Sequence, residues 1–588
     1  MEENKKAILS LKDVEVKFKV RGRILQAIRG VNLDIYEGES IAIVGESGSG
    51  KSVLTKTFSG MLDSNGFVSG GSIIYDDPQL SETNAKKNFI NNDVFKFFNK
   101  KLNAYSKFEY GKDIYNQLKE LDEEELGYVG LSGAEIEEIE NKINDLDFDR
   151  IESFNKRLSL SNKTDKEEIA TLKAKEKELK NQIIELKKEL KAKQNQKKQD
   201  YKNNTELREK IATKRAQLLE DYQKAIDVEI TEEQIKRNEL ISKELILSIA
   251  RYPFRKRVTA IFKIVKIFKE AMKNGVDLTS ADVLDNLYSD VAFRVEYRGE
   301  DEEKWMGYCK LDLAKFKLNS DWQQIRGAKV ATVFQDPMTS LNPILTIGSQ
   351  ITDCILKHQN LSYSEAKEKA KRLMTLVGIP DAEKRFNDYP FQYSGGMRQR
   401  IVIAIALSCE PRILICDEPT TALDVTIQAQ IIRLIKDLQK KLGFTIVFIT
   451  HDLGVVANVA DRVAVLYAGQ IVEVGEVEEV FYDPRHPYTW SLLSSLPQLS
   501  TRGEELFSIT GTPPSLYNKI VGDPFAPRNP YRMAIDYVKE PPMFKITETH
   551  YAKTWLLDER APKIEKPNII QNLHEKLTNT VYTQEIEA

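Results

Sequence analysis

The chain is 588 residues long, room for about three or four domains, with 86 basic against 89 acidic side chains and a formal net charge of −3. That balance gives no global attraction to nucleic acid, although a local basic face is compatible with it. Four scattered cysteines, Cys309, Cys354, Cys409 and Cys416, lack CxxC spacing, which argues against a disulfide framework or a zinc site and fits a reducing, cytosolic setting. The N-terminal residues carry no apolar h-region and no run of 18 apolar residues occurs, so any work at a membrane would need other chains to hold this one there.

Between residues 8 and 44 apolar and polar positions alternate (Ile8, Leu9, Leu11, Val14, Val16, Phe18, then Ile28, Val31, Leu33, Ile35), broken at Arg21-Gly22 and Glu37-Gly38. This predicts short strands. They lead through Ser40-Ile-Ala-Ile-Val44 into Gly45-Glu46-Ser47-Gly48-Ser49-Gly50-Lys51-Ser52, which fits G-x-x-x-x-G-K-[ST]. Its glycines let successive backbone N–H groups wrap a polyphosphate, its lysine reaches the β/γ-phosphates and its serine hydroxyl ligates Mg²⁺. Val53 to Ser59 reads as a helix whose N-terminus adds partial positive charge at those phosphates. Gly70 to Tyr75 predicts one more strand.

From about Ser81 to Ser320 the chain turns rich in Lys, Glu and Asn, with helical periodicity and few breakers. Ile169, Leu172, Leu179, Ile183, Leu186 and Leu190 follow 3/4 spacing, resumed at Leu207, Ile211 and Leu218, which predicts a coiled coil. The polar stretch Lys191 to Asn204 fits a turn between antiparallel arms or the weak middle of one long helix. Lys256 to Lys273 is a basic amphipathic helix, either packed on its apolar face within the insertion or offered to a membrane surface or partner.

Globular texture returns at Asp321. Ala328 to Phe334 predicts a strand, 362 to 378 a helix, and 411 to 416 and 444 to 450 continuous apolar strands suited to a parallel sheet covered on both faces. Strands at 462 to 467 and 470 to 474 follow. The tail after about 490 is Pro-rich and irregular.

The strand at 411 to 416 ends in Asp417-Glu418, and in an open parallel sheet ligands sit beyond the carboxyl ends of strands. Asp417 is placed to meet Mg²⁺ and Glu418 to orient or deprotonate the attacking water. Three further strand ends supply Lys51/Ser52, Gln335 and His451, the set that phosphoryl transfer to water requires.

Taken in order, the phosphate loop, Gln335, Tyr393-Ser394-Gly395-Gly396-Met397-Arg398-Gln399, Asp417-Glu418, Ala422-Leu423-Asp424 and His451 resemble an ATP-binding cassette (ABC) nucleotide-binding domain. The resemblance implies an α/β P-loop fold with a parallel sheet core, an antiparallel β subdomain and a helical subdomain, binding ATP and Mg²⁺, the latter through Ser52, Gln335 and Asp417. It implies catalysis by Glu418 with His451 and Gln335. Ser394, Gly395, Gly396 and Gln399 would contact the nucleotide of a partner cassette, and Asp424 would lie on the interface. Phe18 is the candidate for adenine stacking and fits a core position equally.

Val333 to Pro343, Arg485 to Leu493, Gly511-Thr-Pro-Pro514 and Asp523 to Tyr531 are similar to the ATPase subunits of oligopeptide/dipeptide importers. The resemblance covers residues 8 to about 78 and about 322 to 565. It implies a peripheral ATPase on the cytoplasmic face of a membrane, with a second and different cassette subunit, two transmembrane permeases and an extracytoplasmic peptide-binding lipoprotein, and no nucleic acid. Where such proteins often carry a cysteine cluster, this chain has Asp523 and Asn529, so no iron–sulfur centre is expected. The second departure is length: 284 positions separate Lys51 from Gln335, roughly 230 more than an ordinary connection there would need. The domains expected are 1–80 and 321–490 for the cassette, 81–320 for a helical coiled-coil insertion and 491–588 for the importer-type extension. A coiled coil inside a cassette also suggests the DNA-acting ATPases of the SMC/Rad50 kind. Those place it between the Gln loop and the signature, whereas here only 59 positions separate Gln335 from Ser394. A docking arm, a regulatory element and a near-neutral expansion all fit the insertion.

Overall fold

The computed structural model describes residues 6–86, 92–131, 166–250, 254–288, 293–301, 303–316, 319–421, 423–495, 509–517, 520–567 and 570, with scattered positions between 135 and 153. The chain forms two compact units, Met1–Ser81 with Lys310–Ala588, and Glu82–Cys309.

The first unit begins with the alternating segments as long antiparallel strands, β1 (Ala7–Val20) and β2 (Arg23–Tyr36), whose apolar positions are buried on one face. β3 (Ser40–Val44) is buried at every position, as a central parallel strand must be. The phosphate-loop segment follows and feeds the helix Lys51–Ser59, and β4 (Gly66–Tyr75) returns to pair with β1.

Within the second unit, β5 (Glu82–Lys86) opens a set of helices at Asn92–Ser106, Lys112–Val129, Lys166–Asn203, Thr205–Ile226, Glu232–Ala250, Phe254–Lys273 and Ala281–Tyr288. It closes with β6 (Val295–Glu300) and β7 (Lys304–Cys309), giving an antiparallel sheet in the order β5-β7-β6 that helical periodicity did not announce. The polar stretch from Lys191 is helical as far as Asn203. The break falls at Asn204, whose side chain caps the next helix by accepting from the Leu207 N–H. Thr205–Ile226 packs against the earlier helix Lys112–Val129: Arg215 pairs with Asp122 and Glu125, and the rings of Tyr115 and Tyr222 stand 6.1 Å apart. That run of pairs makes the two helices antiparallel. Leu179, Ile183 and Ile211 of the heptad series are buried. The basic helix Phe254–Lys273 spends Ala260, Ile264, Phe268 and Met272 on the interior of its unit, while Phe262 stays 69% exposed.

Back in the first unit, β8 (Leu311–Asp312) adds to β4, completing the order β2-β1-β4-β8. The main sheet takes β3 together with β9 (Val330–Val333), β10 (Ile413–Asp417), β11 (Thr445–Ile449), β12 (Arg462–Tyr467) and β13 (Gln470–Glu476). With β14 (Phe544–Lys545) and β15 (Tyr551–Ala552) from the tail, its order is β14-β15-β13-β12-β3-β11-β10-β9, parallel from β12 to β9. Helices Ile347–His358, Tyr363–Leu376 and Gly395–Leu407 share one apolar core with it, through Ile351, Met374 and Ile403.

The tail is irregular, as its prolines dictate, yet it belongs to this core. Two-residue strands β14 (Phe544–Lys545) and β15 (Tyr551–Ala552) extend the main sheet. Phe525 is fully buried, with its ring 5.2 Å from Tyr467 and 5.4 Å from Tyr488. Replacing Phe525 by Ala should therefore lower the unfolding free energy of this unit by about 3–5 kcal/mol, the usual cost of an emptied aromatic site. Urea denaturation of the full chain measures it, and an unshifted transition would show the tail to be dispensable packing.

Candidate active site

β3 ends at Val44 and the chain turns at Gly45, φ 153°, where a Cβ would stand 2.2 Å from the Leu466 carbonyl oxygen. Gly50, φ 107°, caps the helix that follows. Only glycine meets both demands. Lys51 is buried beneath the loop, and its Nζ donates to the carbonyls of Gly45 at 2.7 Å and Glu46 at 3.0 Å. Burial lowers the Lys51 pKa, opposed by the nearby carboxylates of Glu418, Asp417 and Glu46. Ser47 and Gly48 face solvent.

The Ser52 hydroxyl donates to Asp417 Oδ1 at 3.1 Å. Burial pushes the Asp417 carboxyl up, against the stabilising Ser52 hydrogen bond and the charges of Lys56 and Lys51. The Ser52 hydroxyl in the first turn of the helix after the loop and the Asp417 carboxylate at the end of β10 are oxygen donors of the kind a hard cation such as Mg²⁺ would take.

Glu418 adopts φ 48°, a left-handed conformation that non-glycine residues seldom hold. Its N–H donates to the Ile449 carbonyl at 2.9 Å, which fixes the turn. Its carboxylate accepts from Gln335 Nε2 at 3.1 Å and Thr421 Oγ1 at 3.2 Å, and its Oε1 lies 3.3 Å from His451 Nδ1. His451 is itself 62% exposed. Lys51, Ser52, Gln335, Asp417, Glu418 and His451 thus meet at one edge of the sheet.

Ser394 caps the helix Gly395–Leu407, accepting from the Met397 N–H, and Ser394 and Gly395 are exposed. Gln399 does not share that face. One turn into the helix it is fully buried, with neither amide atom hydrogen-bonded. Asp424 is exposed and caps the helix Val425–Leu442 through the Ile427 N–H at 3.0 Å. Ala422 lies outside the described residues. Phe18 is 9% exposed, its ring packed over Gly66, so of its two readings the geometry matches the core.

Two residues of the importer-like stretches Arg485–Leu493 and Asp523–Tyr531, neither expected at the loop, touch it: Tyr488, whose Oη accepts from the Glu46 N–H at 2.8 Å, and Arg528, which grips the Glu46 carboxylate. Nothing local marks them, because they lie 442 and 482 positions away.

Comparison with known proteins bears on this geometry. The ABC transporter family pattern matches residues 28–218 and 300–421, more than half of the chain. The chain belongs to the ABC transporter family. The C-terminal region of oligopeptide/dipeptide transporters matches residues 472–535. Similar proteins include the oligopeptide transport ATP-binding protein AmiE of Streptococcus pneumoniae, 65% identical over 283 residues, which are 48% of this chain and 77% of that protein. OppD of Bacillus subtilis, an oligopeptide transport ATP-binding protein, is 59% identical over 45% of this chain and 76% of its own length. DppD of Lactococcus lactis, a dipeptide transport ATP-binding protein, is 57% identical over 45% and 75%. This ABC protein is an ATP-hydrolysing subunit of the oligopeptide/dipeptide importer type. Among the described residues no helix is long and apolar enough to cross a membrane.

Left-handed backbone at a non-glycine residue costs about 1–3 kcal/mol, so Glu418→Gly should melt no lower than the parent chain despite losing every side-chain contact, while its ATP turnover disappears. Thermal unfolding beside an ATPase assay checks both halves.

Proposed function

We propose that this ABC ATPase drives peptide import as one half of a pair of cassettes that close on two ATP molecules, with Glu418 as the general base. The convergence of six polar side chains at the carboxyl ends of parallel strands carries this reading. The β/γ-phosphates would take Lys51 from the Gly45 and Glu46 carbonyls that now occupy it. Ser52 and Asp417, with Gln335 nearby, would hold Mg²⁺, which neutralises phosphate charge. Glu418 would accept a proton from water, oriented by Gln335, and His451 would hold the Glu418 carboxylate and the γ-phosphate together. Exposed Ser394 and Gly395 open a helix of 13 residues whose N-terminus would meet the partner's γ-phosphate. Asp424 would lie at that interface.

The partners proposed are a second cassette subunit, two transmembrane permeases and an extracytoplasmic peptide-binding lipoprotein, with this chain at the cytoplasmic face. In support, Met338, Ile344, Leu345, Tyr389 and Phe391 are exposed apolar side chains in the stretch from the Gln335 loop to the signature. Tyr389 and Phe391 stack on each other at 5.9 Å, an exposed aromatic pair that suits a contact with another subunit. Residues 1–80 and 321–490 would form the cassette, 491–588 the importer extension and 81–320 a coiled-coil arm, for which the antiparallel helices around Arg215 and Tyr222 speak.

Glu418→Gln should reduce ATP turnover on the order of 10²–10⁴-fold, as for a lost general base, with ATP still bound, whereas Lys51→Ala should weaken binding itself. Steady-state hydrolysis beside equilibrium ATP binding separates the two, and undiminished hydrolysis by the Gln variant would remove Glu418 from its role. For the partners, Phe391→Asp should leave ATP binding intact and deplete two multi-spanning proteins from material pulled down out of detergent-solubilised membranes. Recovery of DNA-associated proteins in their place would restore the DNA-acting alternative.

A further inference from the structure

We infer that Arg528 and Tyr488 are positioning residues for the phosphate loop, setting how tightly the cassette holds ATP. The inference rests on Gly45–Ser52 being that loop. Glu46 is gripped at two points: its N–H donates to Tyr488 Oη at 2.8 Å, and its carboxylate accepts from both terminal nitrogens of Arg528, at 2.7 and 3.0 Å. The remaining Arg528 donors are spent on the Thr510 carbonyl at 3.1 Å, the Ile509 carbonyl at 3.4 Å and Tyr467 Oη at 3.3 Å. This side chain is only 4% exposed, so a planar guanidinium is locked in one orientation with its carboxylate partner. Three residues earlier, the buried Phe525 packs edge-on against both Tyr467 and Tyr488, so the segment that delivers Arg528 is anchored in the core.

Two consequences follow for an incoming polyphosphate. The Glu46 carbonyl that Lys51 and the Ser49 N–H both use is held in place before any ligand arrives. A loop already in its binding shape loses no affinity to disordered alternatives. Arg528 also neutralises the one carboxylate within the loop, which would otherwise face the phosphates as a like charge.

Arg528→Met, which keeps the aliphatic stem, should raise the dissociation constant for Mg-ATP about tenfold in the full-length chain, the scale of one lost charge-assisted pair, with kcat of the assembled transporter within about twofold. Adding Glu46→Gln should recover most of that affinity by removing the stranded charge. A purely structural role would lower the melting temperature and the active fraction without moving the dissociation constant. Parental affinity in Arg528→Met, or a loss that Glu46→Gln does not relieve, overturns the inference. If Arg528→Met fails to fold, Tyr488→Phe removes a single hydroxyl: several-fold weaker binding supports the inference and unchanged binding overturns it. Failure of the unsubstituted chain to bind ATP would instead remove the phosphate-loop reading beneath it.

Discussion

The parallel ladder of the main sheet is the constraint on which the rest depends. Asp417 is in register with Ile449, Ile449 with Ile43, and Cys416 with Val333. The positions just beyond these pairs are Glu418, His451, Gly45 and Gln335, so one set of backbone hydrogen bonds brings four distant segments to the same height. Adjacent strands lie about 4.8 Å apart, which is why Glu418 can reach Gln335 on one side and His451 on the other. A one-residue slip of β10 would turn Asp417 and Glu418 to opposite faces and part Asp417 from Ser52. The burial of β3, β11 and the first four residues of β10 opposes that slip, because both faces are packed and every side chain would have to exchange its face for the other.

The same ladder supports the strain stored at the site. Glu418 is held at positive φ by its bond to the Ile449 carbonyl, one rung past the last paired residue of β10. Burial of Asp417 and Lys51 works in the same direction. Each is disfavoured as an isolated charge, the carboxyl pushed up and the ammonium down.

What could be read in the sequence was what is local. The phosphate loop, the Ser394 cap and the Asp417-Glu418 strand end declare themselves because each function is written within a few adjacent residues, and their strand or helix context follows from unbroken apolar runs. A motif specifies residue types and not the facing of a helix, so the burial of Gln399, five positions into Gly395–Leu407, is not written in its spacing. Phe18 stayed ambiguous for a related reason, since alternation gives its face and only the approach of Gly66 shows that the ring is covered. The sheet β5-β7-β6 escaped because Glu82–Lys86 is polar and its partner lies over 200 residues on, at Lys304–Tyr308. Arg528 and Tyr488 were invisible as loop contacts for the same reason of distance.

That a segment as long as Glu82–Cys309 can interrupt the cassette follows from where it enters and leaves. Tyr75 pairs with Leu311 and Ile74 with Asp312, so the chain departs from and returns to neighbouring strands of one antiparallel sheet. Asp312 reinforces the junction by accepting from the Ile73 N–H at 2.9 Å. Closing a longer connection between fixed ends costs only a logarithm of its length, about 0.6 kcal/mol per doubling, and a connection that folds on itself avoids most of even that. With β4 and β8 clamped, β3 and β9 keep their places in the main sheet whatever the inserted unit contains. The clamp and the ladder both lie within the unit that holds Lys51, Gln335 and Glu418, so the meeting of those side chains follows from pairings of that unit alone.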